Sequence, residues 1–293
     1  MKKTRRLNTN SIYTVIVYTI AILAAVIWMY PLIYVVSASF SDPEALLAGE
    51  VVLFPKGFNL NAYKYIFQDK NLMIGYRNTI FYSVVGTLYN MILTIFAAYP
   101  LSRKDLRGKG LLTVMISFTM FFGGGMIPTY LNLNDLGMLN KPWVMFVPSA
   151  ISVTNFIIMR NYFTHSVPEE LIEAAHMEGA SQFQILRKVV LPLSKPILGV
   201  LTIYYMAGHW NAYFSAMIYL SDDNLMPLQV FLRRILILGG MEGMGSGSTM
   251  TDSLIYESLK YGVIVVSTLP MLLGYLLVQK SFKKGIMMGS LKG

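Results

Sequence analysis

The chain has 293 residues, of which 55% are hydrophobic and only 13% charged, with a mean hydropathy of +0.53. Soluble domains carry about 25% charged residues, so this composition excludes an ordinary soluble fold. The absence of cysteine excludes a disulfide framework, a thiolate metal site and a thiol nucleophile. The net charge of +9 would suggest nucleic acid in a soluble protein; here its distribution along the chain decides its meaning.

A helix crosses the hydrocarbon core with roughly 20 apolar residues. In chain order, six segments meet that requirement: residues 12–38, 79–99, 111–131, 143–162, 197–220 and 261–278. The third contains Gly123, Gly124, Gly125 and Pro128, which predict a break or kink at its outer end. The expected fold is all-α: one membrane domain of six transmembrane helices over residues 1–293.

Between the spans the basic residues sort to one side. The amino terminus, the loop after the second span, the loop after the fourth and the carboxy-terminal tail together hold 16 Lys+Arg against 5 acids. The opposite segments hold 8 against 10. By the positive-inside rule both termini are expected in the cytoplasm of a multi-pass bacterial inner-membrane protein. The excess charge thus follows from topology, and nucleic acid is not an expected partner. A secretory signal over Lys2–Ala25 is disfavoured, because the apolar run is too long and its removal would reverse the charge pattern.

Two external segments are substantial. Residues 41–76 include FNLNAYKYIFQD, which predicts a short interfacial helix capped by Asn59 or Asn61. Residues 221–260 include GGMEGMGSGSTMTDS, expected to be mobile: either a solvated linker or a loop touching an external partner.

The insert between the fourth and fifth spans, residues 166–192, is charged and helix-forming. Ser166 with Glu169 reads as a capping box, followed by Leu171, Ile172, Ala174, Ala175 and Met177. Gly179 interrupts, Ser181 with Gln184 forms a second capping box, and Leu191-Pro192 ends the run. A helix, a sharp turn, a second helix and a proline stop are expected. An amphipathic hairpin lying on lipid is one reading. The acidic first half favours a protein surface, since the inner leaflet is anionic.

Glu173-Ala174-Ala175, then Gly179, then Val189-x-Leu191-Pro192 resembles the EAA signature of ABC-importer permeases, with Val189 where the family usually has Ile. HWNAYFSAMIYL, PTYLNLNDLGMLNKPWVMFVP and the closing FKKGIMMGSLKG are also similar to the maltose-type carbohydrate permeases, so nearly the whole chain is covered. The resemblance implies a coupling helix pair that docks on a separate ATPase. Glu173 would pair with a basic residue there, Ala174 and Ala175 would allow close packing, and Gly179 would make the turn. It implies a homologous second permease, forming a heterodimer, two copies of the ATPase and an extracytoplasmic binding protein. This chain would be non-catalytic and without cofactor; ATP and Mg would sit on the partner. By position, Gly239, Gly240, Gly243, Gly245 and Gly247 would face the binding protein. Among these permeases the chain looks most like the branch for oligosaccharides from complex, often acidic polysaccharides such as alginate or pectin.

Span five offers a sugar-binding inventory in Tyr205, His209, Trp210, Asn211 and Tyr213, with Tyr205, His209 and Tyr213 at helical spacing on one face. Hydrogen bonding between helices explains the same residues equally well. Met73, Asn78, Tyr82, Asn90, Thr119 and Asn155 read as packing. No HExxH, GxSxG or GxxxxGK[ST] occurs, and Asp and Glu are nearly absent from the spans. An intramembrane enzyme and an ion-coupled secondary transporter are correspondingly weaker alternatives.

Overall fold

The computed structural model describes residues 9–242 and 250–289, with side chains described over 13–237 and 257–276. In chain order the helices are α1 (Thr9–Ser39), α2 (Pro43–Leu47), α3 (Asn61–Gln68), α4 (Lys70–Ser102), α5 (Lys109–Phe121) and α6 (Met126–Asp135). A 3-10 turn at Pro142–Met145 precedes α7 (Val153–Ser166), α8 (Glu169–Met177) and α9 (Gln182–Ile185). A π-turn at Leu186–Val190 leads to α10 (Leu191–Leu193), α11 (Lys195–Trp210) and α12 (Phe214–Tyr219). A second 3-10 turn at Asp223–Leu225 precedes α13 (Leu228–Glu242) and α14 (Met250–Gly289). No strand occurs among the described residues.

Three of these helices are long and apolar enough to cross a membrane: Tyr13–Ser39, Lys70–Ser102 and Glu257–Leu276. The number rises to five if two bent pairs each count as one span. One is α5 with α6, bent by 111°; the break falls at Phe122–Gly125, where Gly125 has φ +87° and Pro128 follows in the first turn of α6. The glycines predicted this break, but the bend leaves only the 13 residues of α5 straight, about 20 Å of helix.

The segment expected to be the fourth span is not one helix. Only Val153–Ser166 is α-helical, because Pro148 has no N–H to give and the chain before it is irregular. Span five likewise breaks after Trp210 and resumes as α12. The last helix runs on to Gly289, well beyond the expected end at 278. Residues 228–242, expected as part of a linker, are helical, since LQVFLRRILIL is an apolar run that starts directly after Pro227.

Two compact units divide the chain, one of residues 1–69 and 234–268, the other of 70–233 and 269–293. In the first, α1 carries apolar side chains on all its faces, Trp28 being 74% exposed, as a lipid-facing helix does. At its end Phe40 stacks on Phe58 and Tyr63 at 5.7 and 4.9 Å, and Ser39 shares a 2.7 Å hydrogen bond with the Tyr63 hydroxyl. Neither predicted asparagine is the formal cap of α3, which is Leu60; Asn59 Oδ1 instead accepts from the Asn61 N–H at 2.7 Å. Gly262 lies against Ile66 and Ala62.

The second unit is built on α4. α7 and α11 pack against it, and the core runs through Met91, Ala98, Phe156, Met159 and Leu201 to Ile185 and Val190 beyond. Glycine is required at two positions on α4. A Cβ on Gly75 would lie 2.8 Å from the Phe231 ring, and one on Gly86 would lie 2.6 Å from His209 Nε2.

Candidate functional site: a helical hairpin and a polar seam

α8 and the run from α9 to α10 form a hairpin whose turn is closed by the backbone. Gly179 takes φ +78°, its N–H bonds the His176 carbonyl, and the Ala180 N–H bonds the Ala175 carbonyl, both at 3.0 Å. That is the paired bonding of a Schellman cap, which needs a residue in the left-handed region. A Cβ at Gly179 would touch nothing within 4 Å, so conformation alone demands glycine here.

The second capping box is present. Ser181 Oγ accepts from the Gln184 N–H and Gln184 Oε1 from the Ser181 N–H. The first is not. Ser166 is the last residue of α7 and α8 is preceded by Pro168, because the chain turns through Val167-Pro168 in extended conformation. Glu169, freed from capping, pairs with Lys104 of the α4–α5 loop, and that bond holds the Lys104 ammonium above its ordinary pKa. Pro192 does not stop the helix at once. The π-turn before it redirects the carbonyls that a proline ring would crowd, with the Leu191 N–H reaching Leu186, and the stop comes at Ser194 with an 84° bend into α11.

The hairpin is anchored on one side and open on the other. Ile172, Ile185, Leu186 and Val190 are buried with Tyr99, Phe163 and Val167. The Tyr99 hydroxyl donates to Gln182 Oε1 at 2.9 Å, and Arg160 Nε donates to the Leu101 carbonyl at 2.9 Å. Ala175 is half-buried, whereas Glu173, Ala174 and Gly179 are exposed, as are Leu171 and Met177, the latter at 89%. Of the apolar side chains Leu171, Ile172, Ala174, Ala175 and Met177, only Ile172 is fully buried. Leu191 is half-buried and Pro192 exposed. Among the described residues no cation stands within salt-bridge distance of Glu173. Beside the hairpin a cavity of about 430 Å³ is lined by Phe96, Tyr99, Leu106, Phe183 and Leu186, with Arg103 and Arg107 also on its wall.

At the other end of α4 and α11 lies a seam of buried polar groups. Asn90 is its node: Nδ2 donates to the Ser149 and Ala150 carbonyls at 2.8 and 2.6 Å. The irregular backbone around Pro148 is thereby satisfied inside the bundle, the condition for non-helical chain at membrane depth. With both amide hydrogens used, Asn90 Oδ1 is the acceptor in its 2.6 Å bond with His209 Nε2, so His209 donates from Nε2. The Tyr205 hydroxyl accepts from the Ser152 N–H at 3.1 Å and shares a 2.7 Å hydrogen bond with Thr94 Oγ1.

Further along α4, Asn78 Nδ2 donates to the carbonyls of Asn224 and Met226, and the Tyr82 hydroxyl donates to that of Leu225. Thr79 Oγ1 receives the Leu228 N–H. These bonds fasten the start of α13 to α4. Asn155 is also buried, as expected of a packing residue, whereas Met73 and Thr119 are exposed.

The five span-five residues therefore divide. Tyr205, His209 and Trp210 are buried, the first two as interhelical hydrogen-bond partners. Asn211 and Tyr213 are exposed. Tyr213 does not share the Tyr205–His209 face, because α11 ends at Trp210 and Asn211 Nδ2 takes up the Ala207 carbonyl. Instead the Arg233 guanidinium lies over the Tyr213 ring, 4.9 Å from its centre. Arg233 was not among the sequence candidates; the Arg-Arg pair inside an apolar run was the available signal. Gly239 and Gly240 fall in the last turns of α13, while Gly243, Gly245 and Gly247 lie outside the described residues.

Residues 71–282 match the family described as binding-protein-dependent transport system inner membrane component. The chain is 39% identical over 289 residues to the polygalacturonan/rhamnogalacturonan transport system permease protein YtcP of Bacillus subtilis, covering 97% of this chain and 99% of that one. It is 38% identical over 268 residues to the protein LplC of the same organism, covering 91% and 90%. In three dimensions it resembles a chain of a bacterial ABC transporter involved in the import of the acidic polysaccharide alginate. The TM-score is 0.83 and the identity 35%, with 96% of this chain and 100% of that chain covered.

Proposed function

The chain belongs to the family of binding-protein-dependent transport system inner membrane components, and from that premise we propose that it is one of two permease subunits of an ATP-driven importer of acidic oligosaccharides. One observation carries the substrate class. Likeness along the sequence and likeness in three dimensions lead to two different transporters, and both are named for polymers rich in uronic acids. Uptake by the assembled importer tests it: oligogalacturonate or oligo-alginate enters, and neutral oligosaccharides of equal length do not compete.

In this reading the six spans of the sequence pattern hold, with the third, fourth and fifth interrupted as described, and both termini face the cytoplasm. The hairpin then stands on the cytoplasmic side and docks on one copy of a separate ATPase. Its open face suits that role: Glu173 makes no salt bridge among the described residues and stands beside exposed Ala174, Leu171 and Met177, on a hairpin whose Glu170 and Glu178 are exposed as well, so the surface offers apolar contacts and a negative charge. The buried side is tied to α4 and α7, so a displacement of the docking face moves the spans with it. Import follows as a two-state rigid-body switch, biased from one end by ATP and from the other by loaded binding protein.

ATP and Mg belong to the ATPase; this subunit contributes position and mechanical linkage. A homologous permease completes the pathway as a heterodimer. Gly239 and Gly240, at the end of α13, face the binding protein, and among the span-five residues Asn211 and Tyr213 are the ones left free to meet sugar. Tyr205, His209 and Trp210 serve the packing behind them.

A further inference from the structure

We propose that Arg233, held on the face of Tyr213, is a carboxylate-reading residue for uronate sugars at the end of the bundle opposite the hairpin. The inference rests on the acidic-oligosaccharide reading above and names a residue for it.

Four observations lead there. α11 leaves the hairpin at Lys195 and ends at Trp210, so Tyr213 lies about 25 Å along the bundle from the hairpin side. The break at Asn211–Tyr213 turns Tyr213 out of the helix face, 37% exposed, beside exposed Asn211. Arg233 is exposed, and among the described residues no carboxylate lies within salt-bridge distance of it. Its position is fixed from behind: Asn78, Tyr82 and Thr79 clamp residues 224–228 to α4, and Phe231 sits on Gly75 where no side chain would fit.

The chemistry of the pair is suited to one ligand class. Stacking on an aromatic ring uses the face of the guanidinium and leaves its N–H edges in plane and available. Those edges match a carboxylate in bidentate fashion. The remaining ring surface of Tyr213 and the amide of Asn211 offer the stacking face and hydrogen-bonding group that a pyranose uses. A neutral sugar would leave the guanidinium without a partner, so the arrangement discriminates for uronates.

The test is a charge series at position 233 in the assembled importer, reconstituted in proteoliposomes with ATP and saturating binding protein, and probed with trigalacturonate. The readout is trisaccharide imported per ATP hydrolysed. Arg233→Lys, which keeps the charge but not the bidentate edge, is expected to import less than wild type and more than Arg233→Gln, Arg233→Gln to lower import about tenfold and Arg233→Glu further, the loss of a charge-assisted hydrogen bond amounting to about ten- to a hundredfold. Tyr213→Phe, which keeps the ring face, is expected to lose less import than Tyr213→Ala, which should resemble Arg233→Gln. Stimulation of the ATPase by loaded binding protein should be unchanged in all. A ratio that ignores the charge at 233 overturns the proposal, and so does a parallel loss of ATPase and import, which would mark a structural contact. If the wild-type importer moves no trigalacturonate but carries a neutral trisaccharide, the substrate reading itself fails, and that outcome is distinct from a flat charge series.

Discussion

Gly86 and His209 show how closely side chains are fitted at the level of the residue. The imidazole occupies the space a Cβ would need, and its Nε2 proton is committed to Asn90. Gly86→Ala is therefore expected to destabilise the protein by about 1–3 kcal/mol through overpacking. The same substitution in a His209→Ala background should cost much less, a coupling that a double-mutant cycle in detergent unfolding measures. Asn90 makes three bonds to two other segments. Asn90→Leu should cost about 2–4 kcal/mol by the same measurement, at about 1 kcal/mol for each bond lost. Sequence inspection placed Asn90 among packing residues, which is where the structure puts it. It could not single Asn90 out, because its importance comes from the Ser149 and Ala150 carbonyls some 60 residues away.

Within the hairpin, the turn and the anchor are separable. Gly179 is needed for its φ of +78° and not for space. Asparagine tolerates that conformation and β-branched residues do not. Gly179→Asn should thus retain uptake while Gly179→Val loses it, with both variants inserted in the membrane at wild-type levels. Equal uptake by the two would show that the turn geometry is dispensable. The anchor is tested by Tyr99→Phe, which removes the bond to Gln182 without touching the open face. A partial loss of uptake is expected, with binding of the ATPase intact in pull-down.

For the whole molecule the decisive variant is Glu173→Lys. The residue is exposed and makes no salt bridge among the described residues, acting on Lys104 only as a minor neighbouring charge, so the fold should tolerate it. Reversing its charge should abolish uptake and release the ATPase on purification, while leaving the thermal stability of the permease unchanged within about 0.5 kcal/mol. Wild-type uptake by this variant would remove the hairpin from the transport cycle.

Membrane class, the long apolar helices, the charge asymmetry and the hairpin with its glycine turn and second capping box were all readable from the chain alone. Each depends on local order: runs of apolar residues, the side on which cations fall, and cap spacings of three or four positions. Where the apolar runs are interrupted, local order misled. Around Pro148 and after Trp210 an apolar stretch looked like one span, because hydropathy does not register an irregular backbone whose carbonyls are met by a distant asparagine. Ser166 looked like a cap until α7 ran through it. The division of span five into buried Tyr205 and His209 and exposed Asn211 and Tyr213 likewise needed the partners on α4. So did the meeting of Tyr213 with Arg233, twenty positions apart in sequence and joined only because α13 is clamped to α4. Local sequence determined the membrane class, the long apolar helices and the turn of the hairpin; tertiary packing decided where the other apolar runs break, which polar groups are spent on holding helices together and which remain for a ligand, because a hydrogen bond satisfied across the bundle leaves no mark on its own neighbours in the chain.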